Sequence, residues 1–273
     1  MPAFVRMLAS GSLGNALLAG SNGTRVLIDM GMTQQRLRSA LEACETEPED
    51  LAAVLVTHTH RDHFSTAAVG FCLARRIPVY STEENLTHLL HTMPGFRRLA
   101  SAGLALSLCD EPVVLGDIVA EAFDVPHDAP GRCVGYRLTL GPARARQRVS
   151  VATDLGYMPA DALPHFLDAT VVVLESNHDT EMLRQSRRPA DLKARIAGPH
   201  GHLSNASAAE NVAEILGRSH PGRVREVVLA HLSRDCNTPG LALEAHAHLA
   251  RSAGGEVRFT AAAQFELGPV LEM

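Results

Sequence analysis

The stretch VLVTHTHRDHFS, Val54–Ser65, decides how the rest of the chain is read. An apolar run leads into it, and His58, His60, Asp62 and His63 crowd into six positions. An extended segment alternates its faces. His58, His60 and Asp62 are therefore expected on one side, where a strand over Ala53–Thr57 runs out into a loop. His63 begins to turn away as a helix over Thr66–Arg76 approaches behind a Ser65 cap. One loop can then aim two imidazoles at one ion and an Asp–His pair at a second. Nitrogen and carboxylate donors suit Zn²⁺ best, with Mn²⁺ or Fe as alternatives.

Six residues cannot complete two coordination spheres, so further ligands are expected at other strand ends. FDVPHDAP places His127 after an apolar run, VSVATDLGY places Asp154, and VVLAHLS places His231. A lone histidine or aspartate in such a place is usually a loop residue or a helix cap. The order His-x-His-x-Asp-His with three further strand-end ligands is not explained that way.

Composition narrows the classes. The 273 residues are 46% hydrophobic, enough for a large core and against wholesale disorder. No apolar run reaches the ~18 residues of a membrane helix. The opening MPAFVRMLASGS has no signal-peptide pattern, so a soluble cytoplasmic protein without membrane contact is expected. Five scattered cysteines form no CxxC pair and fit a reducing compartment. The net charge of −5 leaves nucleic-acid binding to local basic clusters. Aromatic residues at 4% weigh against a single-strand reader built on stacking. Short β-branched runs recur, among them Arg25–Asp29, Ile118–Val125, Arg148–Thr153, Thr170–Glu175 and Val224–Ala230. SNGT at Ser21–Thr24 predicts a hairpin turn. Helical stripes cover Asn205–Leu216, behind Ser204, and Pro239–Ser252. No linker divides the chain, so one α/β domain spanning 1–273 is expected, with two packed sheets and helices outside.

His-x-His-x-Asp-His, followed by a His, an Asp and a late His, resembles the metallo-β-lactamase fold superfamily. The match runs from about Phe4 to Phe259, and Asp29 in VLIDMG stands where that superfamily has a buried aspartate ordering the ligand loop. The resemblance implies a four-layer αβ/βα sandwich with two divalent metals at one edge. It implies that His58, His60 and His127 hold the first ion, that Asp62, His63 and His231 hold the second, and that Asp154 bridges. Two cations about 3.5–4 Å apart activate a bridging water and stabilise charge at the attacked centre. That chemistry gives a hydrolase without naming the substrate.

Downstream motifs bear on the substrate. VVVLESNHD offers Glu175 and, as candidate substrate or phosphate contacts, Asn177 and His178; GPHGHLSN offers His202 and, as contacts of the same kind, Ser204 and Asn205; AHLSRDCNTP follows the last ligand. Taken together they resemble the phosphodiesterase branch that contains RNase Z. SGSLGN, ESNHD, GHLSN and CNTP are most similar to its YycJ/WalJ-like group, bacterial cytoplasmic proteins linked by that resemblance to DNA exonuclease activity. No long insertion matches the tRNA-gripping arm of RNase Z. DNA is therefore favoured over RNA as the nucleic-acid partner.

The implied mechanism gives His202 the reacting phosphate, Glu175 the orientation of His202, and Asp62 both ligation and steering of the water. His178 either lines the site or binds a third metal or a phosphate. Arg187 and Arg188, with Arg184, Lys193 and Arg195, are tethered between the Glu175 and His202 segments and are placed to meet phosphates. Arg144, Arg146 and Arg148 form a second basic group in an expected hairpin. Cys236 is read as a free thiol. A small-molecule hydrolase (lactonase, thioesterase or β-lactamase) on the same dinuclear site is the alternative, and a non-enzymatic metal-holding protein is a third reading. A homodimer is compatible with all of them.

Overall fold

The structure, a computed structural model, describes residues 2–108, 111–142, 146–252 and 256–273. Cys109 and Arg144 of the sequence reading lie outside those residues. The chain first builds β1 (Phe4–Ala9), β2 (Ala16–Ser21), β3 (Thr24–Ile28), α1 (Gln34–Glu42), β4 (Leu51–Leu55) and α2 (Thr66–Arg75). β5 (Val79–Ser81), α3 (Glu83–Thr92), α4 (Phe96–Ser101) and β6 (Ala105–Ser107) complete that half. The second half builds β7 (Val113–Leu115), β8 (Ile118–Asp124), β9 (Val134–Leu140), β10 (Gln147–Ala152) and β11 (Val171–Glu175). It continues through α5 (Thr180–Gln185), α6 (Ala190–Ile196), α7 (Asn205–Arg218), β12 (Glu226–Ala230), α8 (Pro239–Ser252), β13 (Arg258–Ala261) and β14 (Leu271–Glu272).

Two seven-stranded sheets result, ordered β14-β1-β2-β3-β4-β5-β6 and β13-β12-β11-β10-β9-β8-β7. The hairpin at Asn22 and Gly23 turns with φ of 46° and 91°, the left-handed pair that Asn-Gly favours. Alternation along the strands makes two apolar faces per sheet. Val5, Val26, Ile28 and Leu55 meet Tyr136, Leu138, Val149 and Val173 between the sheets. Leu18, Leu27 and Val54 pack outward against Leu37 of α1, Phe71 of α2 and Phe96 of α4. Val172, Leu174 and Leu229 pack outward against Ala208, Val212 and Ile215 of α7 and Ala242 of α8. Each such buried Val, Leu or Phe stabilises the fold by about 1.5–3 kcal/mol before entropy. These layers are the expected αβ/βα sandwich.

β3 runs parallel to β4, and β10, β11 and β12 run parallel to one another. Their C-terminal ends open at one edge, which is where parallel strands hand their chains to loops and ligands. Thr57 and Asp29, expected as strand residues, lie just past β4 and β3. Asp29 cannot continue the strand because its φ is 61°. Among the described residues no helix is long and apolar enough to cross a membrane.

Candidate metal centre

The loop after β4 is held from below by Asp29. Its carboxylate accepts the Thr57 amide at 2.9 Å and the Thr57 hydroxyl at 2.9 and 3.0 Å. Asp29 Oδ2 also lies 2.7 Å from Nδ1 of His63, which is fully buried. His63 therefore turns inward, not away, and presents Nε2 to the cleft side. Gly31 makes this possible. A Cβ there would stand 1.7 Å from the Asp62 carbonyl oxygen. Asn15, from the loop after β1, donates its amide N–H to the same carbonyl at 2.7 Å and brings Nδ2 to 2.9 Å from His63 Nε2.

His58 Nε2 lies 3.2 Å from His60 Nδ1, and His127 Nε2 lies 3.4 Å from that same atom. Zinc–nitrogen bonds of about 2.0–2.1 Å at tetrahedral angles separate ligand atoms by about 3.3 Å. Both separations from His60 Nδ1 have that spacing. The opposite nitrogens are occupied, His58 Nδ1 beside the Thr57 hydroxyl at 3.0 Å and His127 Nδ1 beside the Gly201 carbonyl at 3.1 Å. Such outer partners fix ring orientation and tautomer in metal sites.

A second group is built around Asp62 Oδ2, 3.7 Å from His63 Nε2 and 3.6 Å from His231 Nε2. Asp154 stands between the groups. Its Oδ2 lies 3.0 Å from His63 Nε2 and its Oδ1 3.7 Å from His127 Nε2. Asp154 Oδ2 and His231 Nε2 are buried polar atoms without a hydrogen-bond partner. Buried orphans are costly, and a cation relieves both at once. The residues present thus fit two metal ions by spacing, by donor type and by the atoms left unsatisfied.

The backbone supports this at a cost. Asp29, Asp154 and His231 each end a strand in the left-handed region, at φ of 61°, 60° and 54°. That conformation is uncommon for residues other than glycine and is often found where function constrains the chain. Ser10 Oγ fixes one of them by accepting the His231 amide at 2.7 Å.

Glu175, at the end of β11, is fully buried. Its Oε1 lies 2.9 Å from both His202 Nδ1 and His231 Nδ1, and its Oε2 accepts the Leu155 and Leu203 amides at 3.1 and 3.0 Å. Burial opposes its charge, but the neighbouring imidazoles and their hydrogen bonds bring its pKa down to about 2. Burial likewise opposes charging of His202, yet Glu175 and Asp154 raise its pKa above the ordinary value. His231 is raised to about 10, against its burial, by Asp154, Asp62 and Glu175. His58 behaves oppositely, since burial and the His63 charge hold it well below the usual range. Burial holds the pKa of Asp154 up, but His231 and His63 pull it far below the carboxylate range.

A cleft of about 220 Å³ opens over the cluster. His60, Asp62, His127, Asp154, His202 and His231 face it, as do Ser12, Asp128, Arg188 and Arg195. A larger concavity of about 770 Å³ lies by the ends of α7 and α8, around Leu216, Pro221 and Leu249, away from the imidazoles.

A profile of the Beta-lactamase superfamily domain matches residues 24–232. The chain belongs to that superfamily. It is 32% identical over 242 residues to exodeoxyribonuclease YycJ of Bacillus anthracis, covering 86% of this chain and 84% of the relative. It is 31% identical over 238 residues to exodeoxyribonuclease WalJ of Streptococcus pneumoniae, with the same shares covered. The fold is shared with Zn²⁺-bound PqqB of Methylobacterium extorquens at a TM-score of 0.69 and 15% identity, over 99% of this chain and 100% of that one. The protein is a hydrolase of the metal-dependent kind, and its superfamily fold implies divalent ions.

The other sequence candidates fall into two groups. Arg188 reaches the cleft, where it also lies 3.2 Å from Asp235. Arg187 is exposed outside the cleft lining. Asn177 donates to the His231 carbonyl at 2.8 Å, so it touches the centre from behind. Ser204 caps α7 by accepting the Ser207 amide. Asn205 is buried and bonded to Ser176 and Asn237. His178 is 3% exposed, its Nδ1 has no partner, and its backbone bridges Ser204. Cys236 is a buried free thiol packed with Leu183 and Ile196. Sequence reasoning passed over Asp128, whose carboxylate pairs with Arg195 at the cleft. Its place beside His127 in PHD was the available signal. The arginine segment, for which no element was expected, forms α5 and α6, each shorter than the window in which a helical period can be seen.

Proposed function

We propose that this protein is a two-metal phosphodiesterase that acts on nucleic acid, as a DNA exonuclease. The observation that carries the reading is the His202–Glu175 pair beside the clustered ligands. A buried carboxylate that hydrogen-bonds an imidazole and favours its protonated form, on the wall of a metal cleft, suits a phosphate better than a neutral carbonyl. The names of the YycJ and WalJ relatives support the same substrate class.

In this reading His58, His60 and His127 would hold one ion and Asp62, His63 and His231 the other, with Asp154 available to both. Two divalent ions there, Zn²⁺ by donor type with Mn²⁺ or Fe as alternatives, supply Lewis acidity and a nucleophilic water at neutral pH. Asp62 accepts a hydrogen bond from the attacking water and orients it. His202 keeps Nδ1 on Glu175 and turns its other ring nitrogen to the phosphate, where it donates a proton to the departing oxygen. Arg188 and Arg195 meet flanking phosphates as charge-assisted donors. Asn177, Ser204 and Asn205 hold the loops that carry His231 and His202. His178, buried behind the Glu175 loop, packs that loop against α7. Arg187 gives long-range attraction to the polyanion. The protein works as one cytoplasmic domain across residues 1–273.

The test is a panel of labelled single- and double-stranded DNA and RNA with defined 5′ and 3′ ends, under Zn²⁺ and under Mn²⁺. Stepwise shortening of DNA is expected. Intact substrates under both metals, with the metal content verified, overturn the reading.

A further inference from the structure

A cavity of about 330 Å³ is lined by Arg137, Arg146, Arg148 and Arg223, with Asp168 as its one carboxylate. It lies at the far end of the second sheet from the imidazoles. Arg148 stands six residues before Asp154 along β10, about 20 Å in extended chain. Alternation sets the direction of these side chains. Leu138, Leu140 and Val149 point between the sheets, so Arg137 and Arg148 point out. Arg223 arrives on the turn before β12.

Against four guanidiniums the lining sets a single carboxylate, Asp168, whose charge is favoured first by the His220 amide and only to a lesser extent by Arg223. Among the described residues none of them is ion-paired within 4.0 Å. Glu121 stands opposite Arg137 across the β8–β9 pair, yet it reaches His165 instead, at 3.6 Å. Asp168 is engaged elsewhere. It accepts the His220 amide at 2.8 Å and lies 2.9 Å from His220 Nδ1, in a backbone held at a φ of 59°. Arg137 Nε is buried without a hydrogen-bond partner.

Such an arrangement is unfavourable when empty. Like charges converge on one concavity, and a desolvated N–H donor goes unmet. A ligand carrying several negative oxygens removes both costs, and the planar fork of arginine matches phosphate oxygens in pairs. The volume is at the small end of the range for nucleotide-sized ligands. We propose that this cavity is a phosphate-binding site, separate from the metal cleft, that takes the phosphate group of a mononucleotide or of a polynucleotide backbone. The proposal stands without the nuclease reading, because neither the metals nor the cleft enter it.

Calorimetric titration tests it, with dAMP and with a nuclease-resistant phosphorothioate oligodeoxynucleotide as separate probes. The proteins are the wild type, Arg148→Ala, Arg223→Ala and the double variant. At least one probe is expected to bind the wild type and to bind the double variant about ten-fold or more weakly, as loss of charged hydrogen bonds implies. Inorganic phosphate should compete with it. Loss confined to dAMP assigns the site to free nucleotides, and loss confined to the oligonucleotide assigns it to a backbone phosphate. Equal affinity of wild type and double variant for both probes overturns the proposal, as does absence of binding. Melting temperatures check folding, and Arg223→Ala, on an exposed turn, carries the test if Arg148→Ala is unstable.

Discussion

Asp29 and His63 meet at 2.7 Å with almost no solvent access, and the same carboxylate holds the Thr57 amide and hydroxyl. One side chain thus fixes both ends of the ligand loop. Breaking a buried pair by removing one partner costs about 3–5 kcal/mol. Asp29→Ala is expected to lose stability on that scale in urea unfolding and to lose metal with it. A loss no larger than about 1 kcal/mol, typical of an exposed pair, would mean that the loop is held in some other way.

Metal loading should release protons, and from one group more than the other. His231 carries its proton to about pH 10 in the metal-free protein, while His58 is held neutral by burial. A ligating imidazole must be deprotonated. At pH 7.5 the ion held by His231 therefore displaces a proton, and its affinity rises with pH up to the His231 pKa. Titration in two buffers of different ionisation enthalpy measures the release. Loading of both ions without proton release would exclude His231 as a ligand in its charged metal-free form.

His202→Ala is expected to lower kcat on a phosphodiester by about 10²–10⁴-fold, the range of one general acid. Metal content should be unchanged, because His202 is not among the residues assigned to either ion. A drop in bound metal that accounts for the lost rate would recast His202 as a ligand.

Arg188→Ala and Arg195→Ala should raise KM for a polynucleotide and leave kcat nearly unchanged. Each should also flatten the salt dependence of binding by about one phosphate contact. An unaltered salt slope in both would remove α6 and its approach from the substrate path.

Gly31→Ala is expected to displace Asp62 and impair the second ion first. The added Cβ meets backbone 1.7 Å away, which no side-chain rotation relieves. Metal analysis should show one ion retained and one lost. Retention of both would show that the loop absorbs the shift.

Much of this was legible in the chain. THTHRDH announced itself because metal ligands must crowd, and crowding is visible in sequence. His127, Asp154 and His231 were legible because each follows an apolar run. Two packed sheets with helices outside followed from many short β-branched strands with helices between, and the four-layer order came with the family resemblance. α1 and α3 were not legible, since QQRLRSALE and EENLTHLLHT carry few apolar residues and lean on Thr33 and Thr82 as caps. The outer contacts were hidden for a different reason. Glu175 reaching two imidazoles, or Asn15 reaching His63, joins residues 27 to 56 positions apart. Only the closed fold brings such pairs together.

Each proposed ion draws two donors from each half of the chain: His58 and His60 with His127, and Asp62 and His63 with His231, Asp154 being shared by both. Bound ions would therefore act as rivets through the seam between the sheets. Rivets and interior share one thermodynamic cycle, in which whatever loosens the docking of the halves loosens metal by an equal factor. A substitution at Val26 or Val173, deep between the sheets, would then read out as metal starvation in an enzyme whose ligands are all intact.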